Sequence, residues 1–436
     1  MKFTEDQILA LAPDEASKKA GRDLAAPAKW VSKAASEKAI WGECQGSGSK
    51  PYQTIIDINT IAFKCSCPSR KFPCKHGLGL LLLSARQPNL FSQTDMPLWV
   101  IDWIEKRGEK EVKKVEKTEK PVDENAQLKR QQAREQKVNA GIGELQTWLK
   151  DIVRGGILSM PEKGPSFWDN MARRLIDNQA SGLANMVKLL AATKFWNEDW
   201  QSGFIDQLTR LYLVAKGYER YNQLNASIQQ DIRSAIGFIY NQDELKNQTG
   251  INDNWLVVAR EIRDEQQLTI EENWLYGFNT NSFALILQFY VRGQTSPVSL
   301  PAGMLFEAEI VYFPSALPLR ALIKNMKGVV NSNEWAPKSF AGWQQVAEYE
   351  SEMNSKLPFR NDIPVCVEKI TPVKHLGKWW LQDQDRHVCK LPEEYTQIWK
   401  LLALSAGQPL TMTVIGSESI YKPIGVWEQN NYKPLI

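Results

Sequence analysis

The chain is poor in cysteine and histidine, with six and three respectively in 436 residues. The cysteines are too few and too unevenly clustered for a secreted disulfide framework, so their clustering points to metal or redox chemistry in a reducing compartment. Long apolar runs are also missing. The longest, Leu78 to Leu83, falls far short of the ~20 residues that a membrane helix needs. The amino-terminal stretch MKFTEDQILALAPDEASKK places acids in the first turn and offers no secretory apolar core, which makes the protein an expected cytoplasmic one. No phosphate-cradling glycine loop, HExxH or GxSxG occurs, so a non-enzymatic protein without a small-molecule substrate is expected. Acid pairs such as Glu271 and Glu272, and the charges from Arg260 to Glu265, read as solvated strand and turn faces. Strong charge of one sign is absent too. The net charge is +3, residues 1–104 and 105–137 each carry three more bases than acids, and the remainder carries three more acids. That mildly basic front is compatible with nucleic acid without pointing to it.

What is present divides the chain, whose length allows roughly two to four domains. Residues 4–25 read as helix, with Thr4 capping against Gln7 and a second start at Asp14. From Ala39, two β-rich runs flank the turn Gly46 to Ser49. GLGLLLLSARQ is a helix apolar nearly all round and therefore buried on several sides. PLWVIDWIEKR presents Trp99, Val100, Trp103 and Ile104 on one face. Residues 105–137 are almost wholly polar, a charged linker or an exposed helix. Residues 138–250 show helical periodicity with short connections, as in a bundle, and strands dominate from Asn254 onward, interrupted by AGWQQVAEYESEMNSK and PEEYTQIWKLLALSAG. The expected fold is multidomain α+β: residues 1–104, a linker over 105–137, a helical domain over 138–250 and an α+β domain of unknown role over 251–436.

The densest chemistry lies in KCSCPSRKFPCKHGLGLLLL, where Cys65, Cys67, Cys74 and His76 are spaced C-x-C-x6-C-x-H. On a strand, Cys65 and Cys67 share a face, and the loop between Pro68 and Pro73 turns the chain back to deliver Cys74 and His76 at a helix entrance. Three thiolates and one imidazole form a closed tetrahedral zinc set with no position left for substrate or activated water. An iron–sulfur cluster and an unmetallated buried group are the alternatives. A closed zinc acts as a staple, because its binding energy is folding energy.

This motif resembles the SWIM zinc finger, CxCx(n)CxH on strands followed by a helix, in a small ββα-type domain. WGECQGSGSKPYQTIID resembles the strand leading into the finger in bacterial SWIM proteins, and FWDNMARRLIDNQASGLANMVKLL is similar to the helical stretch carboxy-terminal to the finger in longer members. The resemblance implies one structural zinc held by Cys65, Cys67, Cys74 and His76. Such fingers occur in Swi/Snf-type ATPases, transposases, plant transcription regulators and recombination accessory proteins, so it also implies binding to DNA or to other proteins.

Lys64, Arg70, Lys71 and Lys75 surround the ligands, with Phe72 in the joining loop. They suit phosphate contact and base stacking, or compensation of the net −1 charge of a tris-thiolate zinc. Cys366, His375, His387 and Cys389 could make a second site, though their spacing is unlike common fingers and two of them sit in plain core strands. Cys44 reads as core. Trp379, Trp380 and Trp427 read as residues that begin strands and pack across a sheet. The expected role is a protein-interaction adaptor in an intracellular, bacterial complex, with DNA binding through the finger's basic loop as the alternative.

Overall fold

The computed structural model describes residues 4–46, 50–58, 61–69, 71–106, 124–197, 199–265, 268–291, 298–330, 335–360 and 362–436. The expected turn from Gly46 to Ser49 and the expected linker over 105–137 fall partly outside these residues.

At the amino-terminal end, helix α1 (Glu5–Leu9) opens on a reciprocal capping box: Gln7 N donates to Thr4 Oγ1 (3.2 Å) and Thr4 N to Gln7 Oε1 (3.0 Å). Asp14 caps α2 (Glu15–Leu24) by accepting from Ser17 N at 2.7 Å. Strands β1 (Trp30–Ala35), β2 (Ala39–Cys44), β3 (Tyr52–Asp57) and β4 (Ala62–Cys65) come next in the chain. Helix α3 (Lys75–Arg86), β5 (Ser92–Gln93) and α4 (98–106) complete this part. The sheet runs β4-β3-β2-β1-β5, antiparallel except where β5 lies beside β1. Leu78 and Leu80 to Leu83 of α3 are all at most 2% exposed, which bears out the reading of a helix buried on several sides. It can be so because α2 crosses it closely. A Cβ at Gly79 would lie 2.7 Å from Leu24 Cβ, and one at Gly21 2.9 Å from Leu78 Cβ. Val100 of α4, with Trp99, Trp103 and Ile104, covers Trp41 and Ile55 on the opposite face of the sheet.

Helix α5 (Glu124–Gly155) begins within the charged stretch. It is succeeded by α6 (Pro165–Asp177), α7 (Ser181–Ala191), α8 (Trp200–Glu219), α9 (Ala226–Ile236) and the short α10 (Gln242–Lys246). These helices close a core of their own that includes Leu145, Leu175, Leu183, Phe204, Leu211 and Ile232.

The strand-rich remainder forms two sheets. Strands β6 (Ile251–Glu265), β7 (Leu268–Gly277), β8 (Ser282–Val291), β9 (Leu305–Tyr312) and β10 (Arg320–Val329) close a barrel in the order β10-β8-β7-β6-β9, with β8 and β10 parallel. After α11 (Trp343–Lys356) come β11 (Ile363–His375), β12 (Lys378–Gln382), β13 (Val388–Lys390) and α12 (Ile398–Ser405). Strands β14 (Leu410–Ser417), β15 (Ile420–Glu428) and β16 (Asn431–Pro434) finish a six-stranded sheet ordered β13-β12-β11-β14-β15-β16. The chain is mixed helix and sheet, as expected. Among the described residues no helix is long and apolar enough to cross a membrane.

The barrel shares one apolar core with the amino-terminal helices: Ile8, Leu9 and Leu11 cluster with Trp255, Val257, Leu275 and Phe306. Gln7 Nε2 donates to Gly303 O at 2.7 Å and Arg260 Nη1 to Ala10 O at 3.2 Å, pinning α1 to the barrel. The expectation of a solvated face at Glu271 is corrected. Alternation along β7 places it with Leu275 on the face that lines the barrel, and it is 0% exposed. Its carboxylate is satisfied by Arg260 Nε (2.9 Å) and Nη2 (3.3 Å), by Tyr290 Oη (3.0 Å) and by Asn273 Nδ2 (3.2 Å), as a buried charge requires. Glu272, on the other face, pairs with the exposed Arg263.

Candidate metal centre

Four donor atoms, one each from Cys65, Cys67, Cys74 and His76, lie within 4.8 Å of one another. They arrive from three local structures. Cys65 is the last residue of β4. The strand stops there, so Cys67 stands beyond it, and a shared strand face is not what joins the first two sulfurs: the chain bends after Cys65 and returns Cys67 to the same point. Cys74 is the N-cap of α3 with extended backbone (φ −73°, ψ 166°), and its side chain makes no capping bond, leaving the sulfur to face the cluster. His76, in the first turn, is 5% exposed.

His76 Nδ1 is 3.7 Å from Cys65 Sγ and 3.9 Å from Cys74 Sγ. A tetrahedral zinc with bonds of ~2.3 Å to sulfur and ~2.0–2.1 Å to nitrogen has edges of about 3.5–3.6 Å between sulfur and nitrogen and about 3.8 Å between sulfurs, within a few tenths of an ångström of these distances. The donor set therefore fits zinc in chemistry and in spacing, with Nδ1 as the imidazole ligand. Without a cation the three sulfurs cannot share the space as thiolates. Cys65 takes the negative charge, its thiol drawn down to about 4 by hydrogen bonds from Cys74, His76 and Thr54 against the cost of burial. Cys74, the donor to that sulfur and itself buried, is pushed far up, and burial raises Cys67. A divalent cation relieves this competition.

Residues that the sequence did not single out support the ligands. Thr54, 0% exposed, sits opposite Cys65 on β3 with its hydroxyl 3.3 Å from the sulfur. The Tyr52 ring lies 5.0 Å from the His76 ring. Strand alternation was the available signal, since the residue facing a terminal ligand across the ladder is its neighbour. Gly77 leaves room for Phe63, whose Cδ1 would lie 2.8 Å from a Cβ there.

Of the expected nucleic-acid contacts, Lys64 and Lys75 are exposed, and among the described residues neither forms an ion pair. Lys71 is also exposed but its ammonium meets Asp14 at 2.7 Å. Phe72 is half-buried against the core, edge-on to Phe63 at 6.3 Å. Arg70 lies outside the described residues. Cys44 is fully buried in the core, as expected, and burial raises its thiol.

The four residues weighed as a second site do not gather. Cys366 is buried with its sulfur 3.3 Å from Thr413 Oγ1, His387 turns to Asp383 at 3.4 Å, and burial pushes both Cys366 and Cys389 up to about 12. Asp383, Asp385 and His387 do come together, but the buried Asp383 is engaged by the backbone N–H groups of Trp343 (2.9 Å) and His387 (2.8 Å). Trp427 is buried with Nε1 donating to Thr413 at 2.9 Å, near the end of β15 rather than at the start of a strand. Trp379 and Trp380 sit half-buried in β12.

Comparison with known families gives two matches: the SWIM zinc finger over residues 64–84 and the SWIM-associated four-helix bundle domain over residues 133–236. No curated protein and no solved structure matches the chain. The chain carries a SWIM zinc finger and, after it, the bundle domain that accompanies such fingers.

Proposed function

We propose that the protein is a non-enzymatic adaptor whose zinc finger is a structural staple and whose partners are other proteins in a cytoplasmic complex. The observation that carries this reading is where the finger's loop is spent. Lys71 is tied to Asp14 and Phe72 is turned against Phe63, so both serve to hold the loop on its own domain. A closed Cys3His set has no open position for chemistry. The bundle, by contrast, exposes large apolar side chains: Trp196 at 80%, Leu158 at 73%, Val153 at 63% and Leu189 at 62%. Exposed apolar side chains of this size suit protein contact.

Lys64 and Lys75, exposed and unpaired by acids among the described residues, favour DNA contact as a second reading. A salt titration of DNA binding by the full chain separates the two. Phosphate contact makes log affinity fall linearly with log salt, and Lys64→Ala with Lys75→Ala lowers that slope by about two. The adaptor reading expects no DNA binding at low salt, together with a stoichiometric partner that co-purifies with the native protein and is lost with Trp196→Asp. Salt-dependent DNA binding without such a partner overturns it.

A further inference from the structure

A cleft of about 850 Å³ opens where α1 and α2 meet the barrel and the carboxy-terminal sheet. That volume lies in the range of small-ligand sites, which favour junctions between structural units. Its lining is aromatic on one side. Phe278 and Trp335 lie with ring centroids 4.9 Å apart and planes inclined at 38°, and Trp427 meets Phe278 edge-on at 6.1 Å. Two polar groups among these aromatics are already used, since Trp427 Nε1 donates to Thr413 and Tyr432 Oη to Val258 O. Trp335 Nε1 is buried without a hydrogen-bond partner among the described residues and has no surface open to the cleft, so the tryptophan offers the cleft its ring and not its N–H.

The rim carries four bases, Lys18, Arg22, Lys400 and Lys433, beside the acids Asp6 and Glu15. Three of its bases are matched by acids: Lys18 by Glu15 (2.6 Å), Arg22 by Glu5 (3.8 Å) and Lys433 by Glu428. Lys400 has no ion pair among the described residues and donates to Pro434 O at 2.8 Å. Partial burial lowers its affinity for a proton, with the Asp6 charge acting the other way, and an anion would hold it charged.

We infer that this cleft binds a nucleotide, with the planar base against Phe278 and Trp335 and the phosphate at Lys400. This departs from the expectation that the chain has no small-molecule ligand, and it stands independently of the adaptor reading. The same chemistry comes from a free mononucleotide or from the phosphorylated end of a nucleic-acid strand.

Calorimetric titration of the full zinc-loaded chain tests it, with AMP, adenosine, inorganic phosphate and a 5′-phosphorylated single-stranded oligodeoxyadenylate as probes. AMP is expected to bind at least tenfold tighter than adenosine or phosphate alone. Lys400→Glu should weaken AMP at least tenfold. Trp335→Ala removes the stacking ring and should weaken it by about fivefold or more, the range that one base–aromatic stack carries. Circular dichroism and zinc content of both variants should match the parent. A strand that binds tenfold tighter than AMP assigns the site to nucleic-acid ends, and equal affinities assign it to the free nucleotide. AMP binding no tighter than adenosine or phosphate, or folded variants that bind AMP like the parent, overturns the inference.

Discussion

Removing the metal should loosen far more than the finger. Cys74 stands at the N-cap position of α3 and His76 lies in its first turn, so the ligands fix where that helix begins. The helix carries Leu78, Leu80, Leu81, Leu82 and Leu83, each at most 2% exposed. With ~1.5–3 kcal/mol for each fully buried leucine, roughly 10 kcal/mol of burial depends on that placement. Structural zinc contributes about 10–16 kcal/mol of binding energy at neutral pH, against a total domain stability of only about 5–15 kcal/mol. Losing the metal is therefore expected to release α3. The effect should then travel, because Ile8, Leu9 and Leu11 share one core with both α3 and the barrel residues Trp255 and Val257. Hydrogen exchange read by mass spectrometry, with and without a strong zinc chelator, reports this directly. Residues 75–86 should lose protection first and residues 5–11 with them, while the bundle core around Leu183 and Leu211 stays protected. If chelation strips the zinc and residues 75–86 keep their protection, the reasoning fails.

Three further outcomes rest on particular contacts. Glu271→Ala strands Arg260 in the barrel and should cost about 3–5 kcal/mol in urea unfolding, where a loss below about 1 kcal/mol would contradict the buried pair. Gly79→Ala places a methyl 2.7 Å from Leu24 Cβ and should destabilise by about 1–3 kcal/mol. Gly143→Ala meets nothing within 4 Å in mid-α5 and should stabilise by up to about 1 kcal/mol, so equal effects at the two glycines would refute the close α2–α3 crossing. The Lys71 ammonium, with Ser17 hydroxyl and amide, holds the Asp14 carboxyl down to about 2. Because the folded value is depressed, the clasp contributes fully above the usual carboxylate range and is lost as pH falls through about 2. Carboxyl NMR placing Asp14 in the ordinary range would show that the clasp is absent.

Local chemistry was legible in the sequence, and long-range placement was not. The Thr4–Gln7 box and the Asp14 cap are read from residues three apart and form as read. The hairpin of β2 and β3, the all-round apolar α3 and the four metal donors are equally local. The barrel depends on β8 pairing in parallel with β10 through Leu285–Arg320 and Ile286–Ala321, contacts for which no neighbouring residue gives a signal. Glu271 reads as solvated for that reason: only barrel closure turns its face inward, while Arg260 meets it diagonally across the β6–β7 hairpin. Lys71 and Phe72 read as surface groups because the residues that occupy them, Asp14 and Phe63, lie far off or across a turn. Strand β1, between Pro27 and Ala39, carries no clear sequence signal, because its alternation is short and its partner β2 supplies the register.

Zinc K-edge X-ray absorption of freshly purified protein tests the central claim most directly. The account predicts zinc bound by three sulfurs at ~2.3 Å and one nitrogen at ~2.0–2.1 Å, and its loss on His76→Ala or Cys67→Ala. Protein that folds without zinc, or zinc bound mainly by oxygen, would contradict it.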